Sequence, residues 1–209
     1  MGCCGCGCLI LALLAVLLVG LMGGGSYLLY KQALALTSTA PDPIPTFDGG
    51  DDVFNRAQEK MKAFNHDTQS HLAATIHLTA DEINTLIARN PDFSRNKIHV
   101  FVTFNDDLAR VQSSFPTDLL GGGILKGRYL NGDDTFGVLF DPDTKVVTLD
   151  LKSLRLGPND IPEDKLPALQ NVTDSVINSL LQKDPTAKGF LNQVSSIEIK
   201  KSELVIETK

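Results

Sequence analysis

The sequence predicts an α+β protein in which an N-terminal transmembrane helix is followed by a curved antiparallel sheet packed on two or more amphipathic helices. Three observations lead to this fold class. Residues 9–30 contain no charged side chain, two later stretches place apolar residues at helical spacing, and residues 96–156 alternate apolar and polar positions as strands do. The predicted divisions are an anchor at 1–36, a Pro/Gly linker at 37–50 and one soluble domain at 51–209.

The apolar run at 9–30 has the length of a membrane-spanning helix. At ~1.5 Å per residue it covers roughly 33 Å, enough to cross a hydrocarbon core of about 30 Å. Tyr27 and Tyr30 lie at its end, where aromatic rings favour the headgroup level. A cleaved signal peptide is the alternative, because Ala33, Leu34 and Ala35 form a small-residue site. However, the apolar core is long for a signal peptide and no basic region precedes it.

Short sequence features in and before the anchor suggest modification and self-association. Cys3, Cys4, Cys6 and Cys8 form a cluster before the apolar run. Three explanations remain open for it: S-acylation beside the membrane, binding of a soft metal, and a small-residue cap on the helix. Gly20 and Gly24 place two small residues on one helix face and could let the anchor pair with a like helix. These four residues, Cys3, Cys4, Cys6 and Cys8, are all the cysteines in the sequence, so the soluble domain contains no disulfide.

The charged residues bear on the binding partners of the domain and on its orientation in the membrane. The 25 acidic and 19 basic residues all follow the apolar run at 9–30 and give a formal net charge of −6. This balance argues against nucleic acid and anionic headgroups as electrostatic partners. Membrane lipid and self-association are predicted as partners from features other than charge. Lys31 alone would place its side of the membrane in the cytoplasm, whereas a family resemblance given below favours an extracytoplasmic domain.

The first elements after the linker are a helix, a strand and a second helix. The first helix is predicted from Asp51 to near His66, and the strand at residues 74–78. Thr79 and Glu82 have the spacing of a capping box, which marks the start of the second helix, and Asn90-Pro91 marks its end. The apolar stripe of this second helix is Ile83, Leu86 and Ile87.

Residues 96–156 fit five antiparallel strands. Turn signals fall at residues 105–107, 116, 121–123, 131–133 and 141–143. The clearest apolar alternation is at Ile98, Val100, Val102 and Phe104, and at Phe136, Val138 and Phe140. Alternation changes phase after Leu151, which predicts a β-bulge near Lys152-Ser153 and a bent sheet.

The C-terminal part predicts a long helix, a short helix and a hairpin. The long helix begins at Pro162, a shorter one follows Asp184-Pro185, and residues 197–199 and 204–206 pair about Lys201-Ser202. The predicted apolar face of the long helix is Leu166, Leu169, Val172, Val176, Ile177, Leu180 and Leu181.

The sequence lacks a catalytic constellation, so a non-enzymatic protein without cofactor or metal is predicted. The four histidines show no paired-ligand spacing, the glycine triplet lacks the GK[ST] of a P-loop, and no G-x-S-x-G elbow is present. The acidic pairs Asp133-Asp134 and Asp141/Asp143 could bind calcium, but turn chemistry explains them without an ion.

The stretch LTADEINTLI, residues 78–87, resembles the strand-to-helix start of the YpmS-like group of extracytoplasmic proteins with one N-terminal anchor. That group resembles the TULIP lipid-binding superfamily. The resemblance continues loosely through the strands, the Ile161-Pro162-Glu163 entry to the long helix and the closing hairpin. It implies a strongly bent antiparallel sheet around a long helix, with an apolar cleft for acyl chains.

Two functions follow as hypotheses. The first is a membrane-anchored, single-pass protein with a lipid-binding domain; the second is a non-enzymatic structural or assembly protein of the membrane with a closed core. A groove implies an open apolar cavity of some hundreds of Å³, and a closed core implies close packing. The predicted groove residues are Ile83, Leu86, Ile87, Val100, Val102, Phe136, Val138, Val172, Val176 and Leu180.

Overall fold

A computed structural model describes residues 34–120 and 125–209. The predicted transmembrane helix, the four cysteines, Gly20, Gly24 and the predicted turn at 121–123 lie outside these ranges. Within them, no helix combines the length and the apolar composition needed to cross a membrane. The described chain is α+β with antiparallel sheets, as predicted.

Five α-helices are present in the described ranges. α1 extends three residues beyond the predicted end near His66, and α3 begins at the Pro91 that was predicted only to end α2. The predicted capping box is confirmed, because Thr79 Oγ1 accepts from the Glu82 N–H while the Glu82 carboxylate accepts from the Thr79 N–H. The helices are α1 Gly50–Gln69, α2 Ala80–Ala88, α3 Pro91–Arg95, α4 Leu166–Lys183 and α5 Pro185–Gln193.

The strands form two antiparallel sheets. The large sheet has the order β3-β4-β5-β6-β7, with β1 pairing to β5 beyond the end of β6, and the small sheet has the order β2-β9-β8. Both contribute to one apolar core, in which β8 contacts β5. The strands are β1 Thr37–Ser38, β2 Thr75–Thr79, β3 His99–Asn105, β4 Leu108–Pro116, β5 Tyr129–Asp141, β6 Val146–Leu156, β7 Asn159–Asp160, β8 Val194–Lys200 and β9 Glu203–Thr208.

The region predicted as five strands contains four in its described part, β3 to β6. The predicted turn at residues 131–133 is wrong, because Asn131, Gly132 and Asp133 lie inside β5. All three pair with β4, and the last two also pair with β6. The predicted bulge is confirmed: Thr135 pairs with Ser153 and Phe136 with Leu151, so Lys152 is the extra residue. A bulge increases local twist and bends the strand.

The predicted terminal hairpin is confirmed about Lys201 and Ser202. Both residues have positive φ, 53° and 61°, as a two-residue turn between twisted strands requires, although neither is Gly or Asn. Tertiary contact stabilises this conformation: the Ser202 N–H donates to the Asp106 carbonyl at 2.9 Å, and the Asp106 N–H donates to Ser202 Oγ at 3.2 Å.

Side chains from two helices form hydrogen bonds to the middle of β3 and of β6, at the two edges of the large sheet. On β3, buried Asn84 of α2 exchanges two hydrogen bonds with the Val102 N–H and C=O, at 2.8 and 2.7 Å. On β6, Asn178 of α4 does the same with Val147, at 2.9 and 2.7 Å, and Asp174 accepts from the Leu149 N–H. Each asparagine therefore takes the place of a neighbouring strand.

The buried face of α4 differs from the predicted one. Because Asp174 and Asn178 must face β6, the helix turns Thr173, Ile177 and Leu181 into the core. α4 itself begins at Leu166, after a 3-10 turn at Glu163–Lys165, and not at Pro162. Two residues of the predicted apolar face, Val172 and Leu180, are consequently 43% and 40% exposed.

The segment predicted as a linker is extended but lies against the domain. We call residues 34–49 the strap. Its first part is held at the start of β5 and the end of β6, where Arg128 donates to the Leu34 carbonyl at 3.0 Å and Asn159 donates to the Ala35 carbonyl at 2.8 Å.

The middle and the end of the strap are held as well. Buried Asn131 exchanges hydrogen bonds with Asp42, whose carboxylate also pairs with Arg155 at 3.2 Å. At its end, Asp48 pairs at 3.0 Å with Arg89, the residue after α2. Hydrogen bonds and ion pairs therefore hold the strap to the large sheet at its start and middle, and to the end of α2 at its last residues.

Candidate functional site

A polar groove of about 470 Å³ lies over β4 to β7 and the start of α4. Its volume falls within the range of small-molecule sites. The strand registers build its floor: Thr135 pairs with Ser153, while Asp133 pairs with Arg155, which in turn pairs with Asp160. The lining residues are Arg110, Asp133, Thr135, Lys152, Ser153, Leu154, Arg155, Asp160, Ile161, Glu163 and Leu166.

The floor of this groove contains a fixed ion-pair network. Arg110 binds Asp133 through two hydrogen bonds of 2.8 and 2.7 Å, and Arg155 lies 3.9 Å from the same carboxylate. The Arg110 hydrogen bond outweighs burial and lowers the pKa of Asp133, while Asp133 raises the pKa of Arg110. Arg110 and Asp133 therefore remain charged across the physiological pH range and hold the floor in one geometry.

Other groups in the groove are free to meet a ligand. Lys152 pairs with Asp150 at 2.6 Å, but both side chains are about half exposed, so this ion pair is weak and exchangeable. In the part of the chain that the structure describes, Asp160 and Glu163 take part in no ion pair. The sequence did not reveal this groove, because Asp133 was assigned to a turn. The available signal was the presence of Lys152 and Arg155 in the strand β6.

A second cavity lies between the two sheets and is entirely apolar. Its volume is about 70 Å³, roughly half that of an engineered apolar cavity that admits one benzene molecule. An acyl chain therefore does not fit this interior without rearrangement. The cavity is lined by Ile83, Val102, Phe104, Ala109, Val111, Phe136, Val138, Val147, Leu149, Ile197, Ile199, Leu204 and Ile206.

The structure brings together only some of the predicted groove residues. Those that line the cavity are Ile83, Val102, Phe136 and Val138. Ile87 and Val100 are buried elsewhere in the core, Leu86 and Val176 are half-buried, and Val172 and Leu180 are exposed on the outside of α4. Sequence periodicity missed β8 and β9 as walls of this cavity, because it does not report which sheets face each other.

One ionisable side chain lies inside the core. Asp134 is 2% exposed and its Oδ1 has no hydrogen-bond partner, and the same holds for the hydroxyl of fully buried Ser113. Gly132 makes room for both, since a Cβ at that position would lie 2.9 Å from Ser113 Oγ. Burial, and secondly the nearby charge of Asp133, raise the pKa of Asp134 to about 8. At neutral pH Asp134 is therefore mostly protonated.

Neither a metal centre nor a relative adds to this description. Within 34–120 and 125–209, no group of three or more His, Cys, Asp or Glu side chains is placed to hold a metal ion. Comparison with known proteins finds no matching family model, no matching curated protein and no matching solved structure. The functional argument therefore rests on the geometry of this chain.

Proposed function

We propose that this chain is a single-pass membrane protein whose non-catalytic domain is held directly against the bilayer and acts as a structural or assembly module. The attachment of the strap is the observation that supports this most. Arg128 binds Leu34, and only three residues lie between Leu34 and the end of the apolar run at Tyr30, so little free chain separates an anchor from the sheet. Pairing of anchors through Gly20 and Gly24 belongs to the same proposal.

The small volume of the interior cavity favours a protein with a closed core over a protein that carries lipid in its interior. Its volume of about 70 Å³ is far below the 300–1,000 Å³ typical of ligand pockets. The surface instead presents the polar groove, with a volume of about 470 Å³. Contact between this domain and other molecules is therefore assigned to its surface and not to its interior.

Membrane fractionation with two truncations tests the anchor and the strap. We expect the full-length chain in the membrane fraction with its N-terminus intact, and a chain beginning at residue 34 in the soluble fraction. A chain beginning at residue 50 also lacks the strap and with it Ala40 and Asp42, the strap partners of Asn131, so it should be roughly 2–4 kcal/mol less stable than the chain beginning at 34. Full-length protein found in the soluble fraction with an N-terminus near Leu36 would establish a cleaved signal peptide instead.

Lipid binding is the second candidate, supported by the wholly apolar lining of the inter-sheet cavity. If that cavity opens for an acyl chain, mass spectrometry of organic extracts from the purified protein will show lipid, and Val138→Trp will abolish its recovery with little loss of stability. In a closed core, Val138→Trp costs about 1–3 kcal/mol by overpacking and no lipid is found in the parent. Val172→Trp, on the exposed side of α4, is the matched control.

A further inference from the structure

The polar groove separates its free charges along its length. Lys152 extends from the bulge in β6, next to the hydroxyls of Thr135 and Ser153. Three residues further along β6, Asp160 of β7 lies opposite Arg155, and Glu163 of the following 3-10 turn adds a second carboxylate to the lining. A molecule that fills the groove therefore meets a cation and hydroxyl donors near the bulge and two carboxylates on the β7 side.

The groove is also next to the point at which the chain leaves the domain. Asn159, adjacent to Asp160, donates to the Ala35 carbonyl, and Gly157 lies so close to Leu36 that a Cβ there would be 2.9 Å from the Leu36 carbonyl oxygen. Arg155 connects the two regions, because it lines the groove and also binds the Gly157 carbonyl at 2.8 Å. If residues 9–30 lie in the bilayer, this end of the groove faces the headgroup layer.

We propose that the groove binds the zwitterionic headgroup of a phospholipid, with its phosphate at Lys152, Thr135 and Ser153 and its amine at Asp160 and Glu163. This inference rests on the proposed membrane anchor for the source of the ligand. A phosphate accepts hydrogen bonds from an ammonium and from hydroxyls, and an amine donates to carboxylates. The ion pair of Arg110 and Asp133 stays intact beneath the ligand and keeps these groups in place.

Titration of the full-length chain in non-ionic detergent with water-soluble headgroups tests the groove. The probes are glycerophosphoethanolamine, glycerophosphoglycerol, which lacks the amine, and inorganic phosphate, with binding followed by calorimetry. We expect the tightest binding for glycerophosphoethanolamine. Lys152→Gln should weaken binding of both glycerol esters about tenfold, because it removes one charge-assisted hydrogen bond.

The acidic end is tested separately. Asp160→Asn combined with Glu163→Gln should remove the preference for glycerophosphoethanolamine over glycerophosphoglycerol and leave binding of the latter unchanged or stronger. Lys188→Gln, on exposed α5, removes the same charge outside the groove and should leave all affinities unchanged.

Three outcomes would overturn the headgroup site: no saturable binding, equal binding of phosphate alone, or the same weakening in Lys188→Gln as in Lys152→Gln. Fractionation keeps the two proposals apart. A full-length chain that is recovered in the soluble fraction but binds glycerophosphoethanolamine with the expected variant pattern would reject the anchor, retain the groove and assign it to a free phosphodiester.

Discussion

Asp134→Asn is expected to stabilise the protein strongly at alkaline pH and only slightly near pH 4. The folded-state pKa of Asp134 is about 8, against 3.8 ordinarily, so between these values the folded chain holds a proton that the unfolded chain has released. Stability therefore falls by about 1.4 kcal/mol per pH unit from about pH 4 to about pH 8 and is flat above that. Over this whole pH range, ionisation of Asp134 lowers the free energy of unfolding by on the order of 5 kcal/mol.

Urea unfolding of the parent and of Asp134→Asn from pH 4 to pH 9 measures this difference. Subtraction of the two profiles removes the contributions of other titrating groups, including Asp174, whose pKa is also raised by burial. Asp107→Asn, at an exposed turn, is the control for loss of one carboxyl and should change stability by less than about 0.5 kcal/mol. A constant difference across the pH range would mean that the carboxylate of Asp134 is solvated or paired.

A large loss of stability is expected when both cations around Glu82 are removed. The Glu82 side chain is fully buried and its carboxylate accepts from Arg56 at 3.0 Å and from Lys60 at 2.8 Å, both on α1. Burial alone would raise the pKa of Glu82, but hydrogen bonds from Lys60, the Thr79 N–H and Arg56 outweigh it and lower that pKa. Arg56→Met with Lys60→Met leaves a buried charge without a cation and should cost about 3–5 kcal/mol.

Denaturant unfolding at pH 7 measures the loss, and a compensating variant identifies its cause. Adding Glu82→Gln to the double variant removes the buried charge, keeps an acceptor for the Thr79 N–H, and should recover most of the stability. Each single methionine variant should cost much less, because one cation remains. If the triple variant is no more stable than the double, the loss comes from packing of α1 and not from the charge of Glu82.

Sequence reasoning succeeded where local chemistry decides the structure. The capping box at Thr79 and Glu82 depends on side chains three residues apart, and the bulge at Lys152 shows directly as a change of phase in one strand. The two-residue turn at Lys201 and Ser202 was found from the strands on either side of it. All three signals lie within a few residues of the feature that they predict.

Sequence reasoning failed where a contact with a residue far away in the sequence decides the structure. Val172 and Leu180 have the helical spacing of a buried face, yet the bonds of Asp174 and Asn178 to β6 fix the rotation of α4 and leave both exposed. The strap has a linker composition, but Asn131 and Arg155 bind it from positions about 90 and 110 residues away. Nothing in the local sequence distinguishes a bound proline-rich segment from a free one.

The candidate site was the least predictable part. The apolar cavity requires knowledge that β8 and β9 face the large sheet, which periodicity does not supply. The charged groove depends on Asp133 and Asp134 being neighbours inside a strand, one facing the groove and the other the core. The tripeptide Asn131-Gly132-Asp133 is typical of a turn, so the local preference and the native strand pairing disagree at this position.

If the proposed anchor holds this chain in a membrane, the asparagine caps on β3 and β6 have a consequence for neighbouring copies. Confinement to two dimensions keeps neighbouring copies at similar height and orientation, which favours repeated collisions between their sheet edges. An unpaired central edge would let such collisions grow into intermolecular strand pairing. Asn84 and Asn178 already occupy the peptide groups of Val102 and Val147, so they protect a crowded population from that form of aggregation.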